Sequence, residues 1–242
     1  MRWKACLRLL AAWALLAAGP AGAGIRALYE GGSSPGGMLV EVADNGDFRA
    51  GEPEAANHVL GIAGTVYLVA PGPDGALEVV RIEDLATALD EVLPPVFRAL
   101  FGQAAANARA ARAPRLERVG TRTVAGVSGE VWRVTAGDPP QTREMVFSRA
   151  PEMAPVGVAV TRFLESAMLM AAPLVGPMAS DMVKEMRSVF ALGAPLEAGG
   201  MFRLAKAEEA AIAPERLRLP AEPLAPSVLV ERLKATRPPT AR

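Results

Sequence analysis

The sequence predicts an α+β fold: a curved antiparallel sheet of about eight to ten short strands, with helices packed on its concave face. Three observations carry this. From Ile25 to about Ile82 apolar and polar side chains alternate between turn-forming residues, the period-2 pattern of half-buried strands. The period then changes, because Leu85, Leu89, Val92 and Leu93 recur at helical spacing behind the acidic pair Glu83-Asp84. Strands return between Leu116 and Ser148, and a second helical stretch follows Pro151 and Pro155. Elements that come in runs, instead of alternating one by one, favour an antiparallel sheet with its helices gathered on one side.

Residues 1–23 read as an export signal. Arg2, Lys4 and Arg8 give a basic start, Leu9 to Ala18 an apolar stretch, and Ala21-Gly22-Ala23 a small-residue cleavage site. The expected compartment is the periplasm, with the mature chain beginning near Gly24. Cys6 is the sole cysteine and would leave with the signal, which excludes a disulfide scaffold, a thiol nucleophile and a cysteine-ligated metal. Of 26 basic residues 23 remain after residue 23, against 26 acidic ones, a net charge of −3. A phosphate-backbone binder carries a basic excess, so the charge argues against nucleic acid as a partner.

Within the first run, Ile25-Ala27-Tyr29 and Met38-Val40-Val42 alternate up to Asp44-Asn45-Gly46-Asp47, where Asn-Gly is a strong hairpin signal. Val59 to Val69 and Ala76 to Ile82 then flank Pro71-Gly72-Pro73-Asp74-Gly75, a second hairpin. Helices are expected over 84–93 and 96–112, the latter burying Val96, Phe97, Leu100 and Phe101. Strands over 116–124, 127–135 and 142–148 form a meander whose first turn is Ala125-Gly126, with Trp132 packed inward. Two more helices are expected over 156–170 and 178–192, separated by Pro173 and Gly176-Pro177. Gly199-Gly200 opens a strand from Met201 to Ala207, and a short extended run covers Arg216 to Leu219. Residues 24–220 read as one domain, followed by a Pro-rich tail over 221–242 with a helix at Ser227 to Ala235.

Catalytic patterns fail on inspection. Gly126-Val127-Ser128-Gly129-Glu130 brings its second glycine one residue too early for a nucleophile elbow, and no helix follows. His58 is the only histidine, too few for a zinc site without cysteine. Gly31-Gly32-Ser33-Ser34-Pro35-Gly36-Gly37 joins two strands, whereas phosphate loops run into a helix. These residues support no enzyme, no zinc site and no cofactor.

Methionine is the positive signal. Met153, Met168, Met170, Met178, Met182, Met186 and Met201 concentrate in and around the late helices. Thioether side chains repack around differently shaped apolar partners, so this face suits an apolar ligand, a docked envelope protein or ordinary core packing. Met178, Met182 and Met186 stand at i, i+4 and i+8, which also allows a thioether site for Cu(I). The expected function is non-catalytic binding of an apolar small molecule or lipid between sheet and helices. Trp132, Phe163, Leu164, Met168, Met182, Met186 and Phe190 are the candidate lining residues, chosen for shape and apolarity.

A strand ending in Tyr29-Glu30-Gly31, the hairpin VADNGDFR at residues 42–49, the hairpin GTRTVAGVSGEVWRV from Gly120 and the two late helices together resemble an uncharacterised family of bacterial periplasmic proteins. That family is similar in architecture to the outer-membrane lipoprotein carriers. The resemblance implies an incompletely closed antiparallel β-barrel, capped by helices, with an apolar cavity between them. It assigns no role to any individual residue.

Overall fold

The computed structural model describes residues 24–32, 35–94, 96, 114–136, 140–176 and 178–235. Six strands come first: β1 (Gly24–Gly31), β2 (Met38–Ala43), β3 (Phe48–Gly51), β4 (His58–Ile62), β5 (Thr65–Pro71) and β6 (Leu77–Arg81). Helix α1 (Ile82–Val92) follows, then β7 (Arg115–Val124), β8 (Val127–Ala136) and β9 (Gln141–Ser148). A 3-10 turn (Pro151–Met153) leads into α2 (Ala154–Val175), then α3 (Met178–Phe190), β10 (Ala194–Ala198) and β11 (Phe202–Glu209). A second 3-10 turn (Pro214–Leu217) and α4 (Pro226–Ala235) end the described chain.

All eleven strands belong to one antiparallel sheet in the order β6-β5-β4-β3-β2-β1-β11-β10-β9-β8-β7. The sheet is open: β6 and β7 are its two edges. Local hairpins build the first half and join β7 to β8, β8 to β9 and β10 to β11; β9 and β10 pair across the intervening helices, and β11 closes the middle by pairing with β1. The first half places Ala27, Tyr29, Val40, Val42, Phe48 and Ala50 in a buried cluster with Val156, Ala159 and Val160 of α2.

Eleven strands exceed the eight to ten expected from sequence, and the reason is local. The run Val59 to Val69 is two strands, folded at Ala63-Gly64 with φ of 47° and 90°. Ala125-Gly126, the turn that the sequence does reveal, has nearly the same geometry, with φ of 49° and 81°. Alanine in the left-handed region is strained and uncommon, so Ala-Gly is a weak hairpin signal beside Asn-Gly. Strand β10 was not foreseen either, because Pro195 lies inside it; a register shift between Pro195 and Glu197 accommodates the proline.

Two further expectations are corrected. Pro173 does not separate the late helices: it lies inside α2, near its end, and the helix stops at Gly176, whose φ is 60°. The extended run expected at Arg216 to Leu219 is split: Arg216 and Leu217 belong to the second 3-10 turn, where Pro214 sets a helical φ, whereas Arg218 is extended, with φ −107° and ψ 143°. The expected helix at 96–112 lies almost wholly outside the described residues.

The segment after β11 crosses the face of β1–β6 turned away from α2. Ile212 is buried beside Gly24, Leu219 packs with the cluster of Leu60, Val69 and Val79, and the Leu224 N–H donates to the Val79 carbonyl at 2.8 Å. Helix α4 then seats Leu229 and Val230 against Ala88 of α1.

Candidate functional site

Helix α2 reads APVGVAVTRFLESAMLMAAPLV, in which Arg162 and Glu165 are the only charged residues. The stretch Pro151–Val175 is long and apolar enough to cross a membrane, yet only 17 % of its apolar window is buried. Burial is uneven along it. Val156, Gly157, Ala159 and Val160 are buried in the first turns, whereas beyond Val160 only Ser166 is. Gly157 explains the tight end: a Cβ there would lie 3.0 Å from the Ala194 Cα, so glycine lets the helix lie directly on β10. The later turns border open space.

On the sheet side that space is a cavity of about 480 Å³. Val160, Phe163 and Leu164 form its roof, while Tyr29, Met38 and Leu68 contribute to its floor. Glu52, Asn57 and His58 also border it. Tyr29 is fixed by donating its hydroxyl to the Pro195 carbonyl at 2.9 Å and by an edge-on contact with Phe202; burial pushes its pKa upward. His58 Nδ1 lies 3.0 Å from the Ala56 carbonyl. Burial and then the Arg49 charge hold its pKa below the ordinary imidazole value, against the opposing effect of that backbone contact.

Along the later turns of α2 a second space, a groove of about 630 Å³, runs between α2, α3, the start of α1 and the sheet at Gly64 and Val66, with Met168, Leu169, Ala172 and Val183 among its walls. A smaller space of about 390 Å³ continues it toward Gly157 and Phe190. Arg162, Glu165 and Arg187 border both. Glu165 and Arg187 form an ion pair that links α2 to α3.

The lining residues expected from sequence are thus divided. Phe163 and Leu164 border the sheet-side cavity, Met168 the groove and Phe190 its smaller continuation. Trp132 packs elsewhere, half-buried with Val134, Met145 and Phe147; Phe190 reaches the same cluster through an edge-on contact with Phe147 at 5.8 Å. Met182 is exposed and Met186 half-buried, and neither borders these three spaces. The Met178 side chain lies outside the description. Among the described residues no three His, Asp or Glu side chains gather as a metal site.

Neither a family model, nor a curated protein, nor a solved structure matches this chain significantly.

Sequence reasoning missed the sheet floor. Tyr29 and Met38 were visible as inward positions of alternating strands, but their meeting with α2 depends on the strand order, which pairing alone decides. It also passed over Arg162, although a lone arginine in so apolar a helix was legible.

Proposed function

We propose that the protein is a non-catalytic periplasmic binding protein that holds an apolar or lipid-like molecule between its helices and its sheet. In this reading the sheet is an incomplete barrel with α2 on its concave face, similar in architecture to the outer-membrane lipoprotein carriers. The curvature is supported by a single buried cluster that combines β1–β4 and β7–β11 with Val156 and Val160. Strands stand about 4.8 Å apart, so nine of them laid flat would extend far beyond the side chains of one helix, roughly 10 Å across.

The observation that carries the proposal is the open space bordering α2. Interiors pack as densely as organic crystals, and a helix this apolar normally fills its surroundings. Here, beyond the turns that pack on the sheet, a space of about 480 Å³ borders Val160, Phe163 and Leu164, and one of about 630 Å³ borders Met168, Leu169 and Ala172. Both volumes fall within the roughly 300–1,000 Å³ of small-molecule sites. Native mass spectrometry of the protein from periplasmic extract tests the idea: a bound species of lipid-like mass is expected. Bare polypeptide under conditions that keep apolar ligands bound would sink it.

Docking of an envelope protein is the second reading, favoured by Val158, Leu169, Leu174 and Met182, which are exposed on α2 and α3. It predicts capture of a protein partner that a Met182→Glu, Leu169→Glu variant loses.

A further inference from the structure

We propose that the groove between α2 and α3 takes a single-chain amphiphile with an anionic head, carboxylate or phosphate, and that Arg162 binds the head. This deepens the reading of α2 as the cover of a ligand site and rests on it.

The argument starts from charge. Three cations, Arg162, Lys184 and Arg187, border the groove together with two acids, Glu83 and Glu165. Arg187 is taken by Glu165, and Lys184 lies 3.6 Å from Asp181. Arg162 has neither an ion pair nor a hydrogen bond among the described residues. Its guanidinium sits over the Phe48 ring, 5.6 Å from the centroid, and the residue is half-buried. A guanidinium carries five N–H donors in a planar fork. Stacking on a ring offsets only part of the cost of withdrawing them from water, and it leaves the fork free in the plane.

Geometry adds the second half. Arg162 and Met168 border the same space, with Leu169, Ala172 and Val183 beyond. A cation without an ion pair among the described residues, beside a wall of Met168, Leu169, Ala172 and Val183, is complementary to a molecule with an anion at one end of an apolar chain. A neutral apolar ligand would leave the fork unsatisfied, and an acyl chain with a carboxylate or phosphate would satisfy it by charge-assisted, bidentate hydrogen bonds. Glu165, the nearest carboxylate along α2, is held by Arg187 and so does not compete, and Glu83, the other acid at the groove, is exposed to water on α1.

The test compares palmitate, lysophosphatidic acid and hexadecanol by calorimetric titration into the mature protein at neutral pH. At least one anionic amphiphile should bind about tenfold more tightly than hexadecanol, the scale of one charge-assisted hydrogen bond. The tighter of the two identifies the head as carboxylate or phosphate. Arg162→Gln should reduce that ligand to the affinity of hexadecanol while leaving hexadecanol unchanged, and Arg162→Lys should restore part of the difference. Equal binding of all three by the unaltered protein overturns the role of Arg162 and leaves the apolar site standing. An anionic preference that survives Arg162→Gln also overturns it. Binding of none of the three overturns the apolar site as well.

Discussion

Arg216 donates from Nε to both carboxylate oxygens of Glu41, 175 positions earlier in the chain, at 3.0 and 2.8 Å. Glu41 is fully buried, on the face of β2 turned away from α2, and Arg26 reaches it from β1 with Nη2 at 2.9 Å. Arg49 of β3 adds a third guanidinium at 3.7 Å. One carboxylate thus joins three strands and the segment that crosses them. Replacing it by the neutral Glu41→Gln leaves the buried Arg49 without its anion while Arg26 and Arg216 stay partly open to water, so the cost should be about 1–3 kcal/mol in urea unfolding. A loss below about 1 kcal/mol would mean that the cluster is solvated.

The same carboxylate gives stability an acid dependence. Burial alone would raise its pKa, but hydrogen bonds from Arg216 and Arg26, with their charges, outweigh burial and hold it below the ordinary value of 4.5. A carboxyl with a lowered folded-state pKa contributes stability that is complete above its unfolded pKa and is lost as pH falls through the folded one. His58 acts in a higher window. Its folded pKa is depressed below 6.5, so the unfolded chain binds the proton first and stability begins to fall as pH drops through 6.5. Unfolding free energy measured against pH should therefore decline in two stages. His58→Gln should remove the upper stage alone, and Glu41→Gln should remove the Glu41 contribution to the lower one.

Trp132 is the only tryptophan beyond residue 23. Its indole Nε1 is buried and has no hydrogen-bond partner, while the ring is half-buried beside Met145 and Phe147. Trp132→Phe loses apolar contact and also removes an unsatisfied donor, two effects of opposite sign and similar size, so stability should change by less than about 1 kcal/mol. Emission of the folded protein should be shifted to the blue of free indole. A loss of several kcal/mol would show that the N–H makes a bond.

Gly157 should be intolerant of side chains. Val at this position meets the Ala194 backbone, 3.0 Å from the nearest Cβ position, and backbone cannot swing aside as a flexible side chain can. Gly157→Val should destabilise by about 1–3 kcal/mol on thermal unfolding, the usual range for overpacking. Gly120→Ala meets nothing within 4 Å and serves as the control.

Much of the fold was legible because its signals are local. Asn45-Gly46, Pro71-Gly72-Pro73-Asp74-Gly75 and Ala125-Gly126 marked turns that occur, and Glu83-Asp84 marked the start of α1. What stayed hidden needed partners far away. Alternation along β2 correctly turns Glu41 from the core formed with α2, but nothing near it in sequence reveals that residue 216 will cover it. The candidate site was half legible for the same reason. Phe163, Leu164 and Met168 follow from the apolar composition of α2, whereas the exposure of Met182 depends on which side of α3 meets α2. Helical periodicity defines a face without saying what faces it.

The central claim is that the space beneath Leu164 is a ligand cavity and not part of a closed core. Titration of an environment-sensitive apolar probe into the unaltered protein and into Leu164→Trp tests it most directly. The larger ring would occupy the cavity of about 480 Å³, so the variant should keep or gain thermal stability and lose saturable probe binding on the sheet side. A variant destabilised by about 1–3 kcal/mol, as overpacking of a filled core demands, would contradict the claim. So would a stable variant that binds the probe as the unaltered protein does.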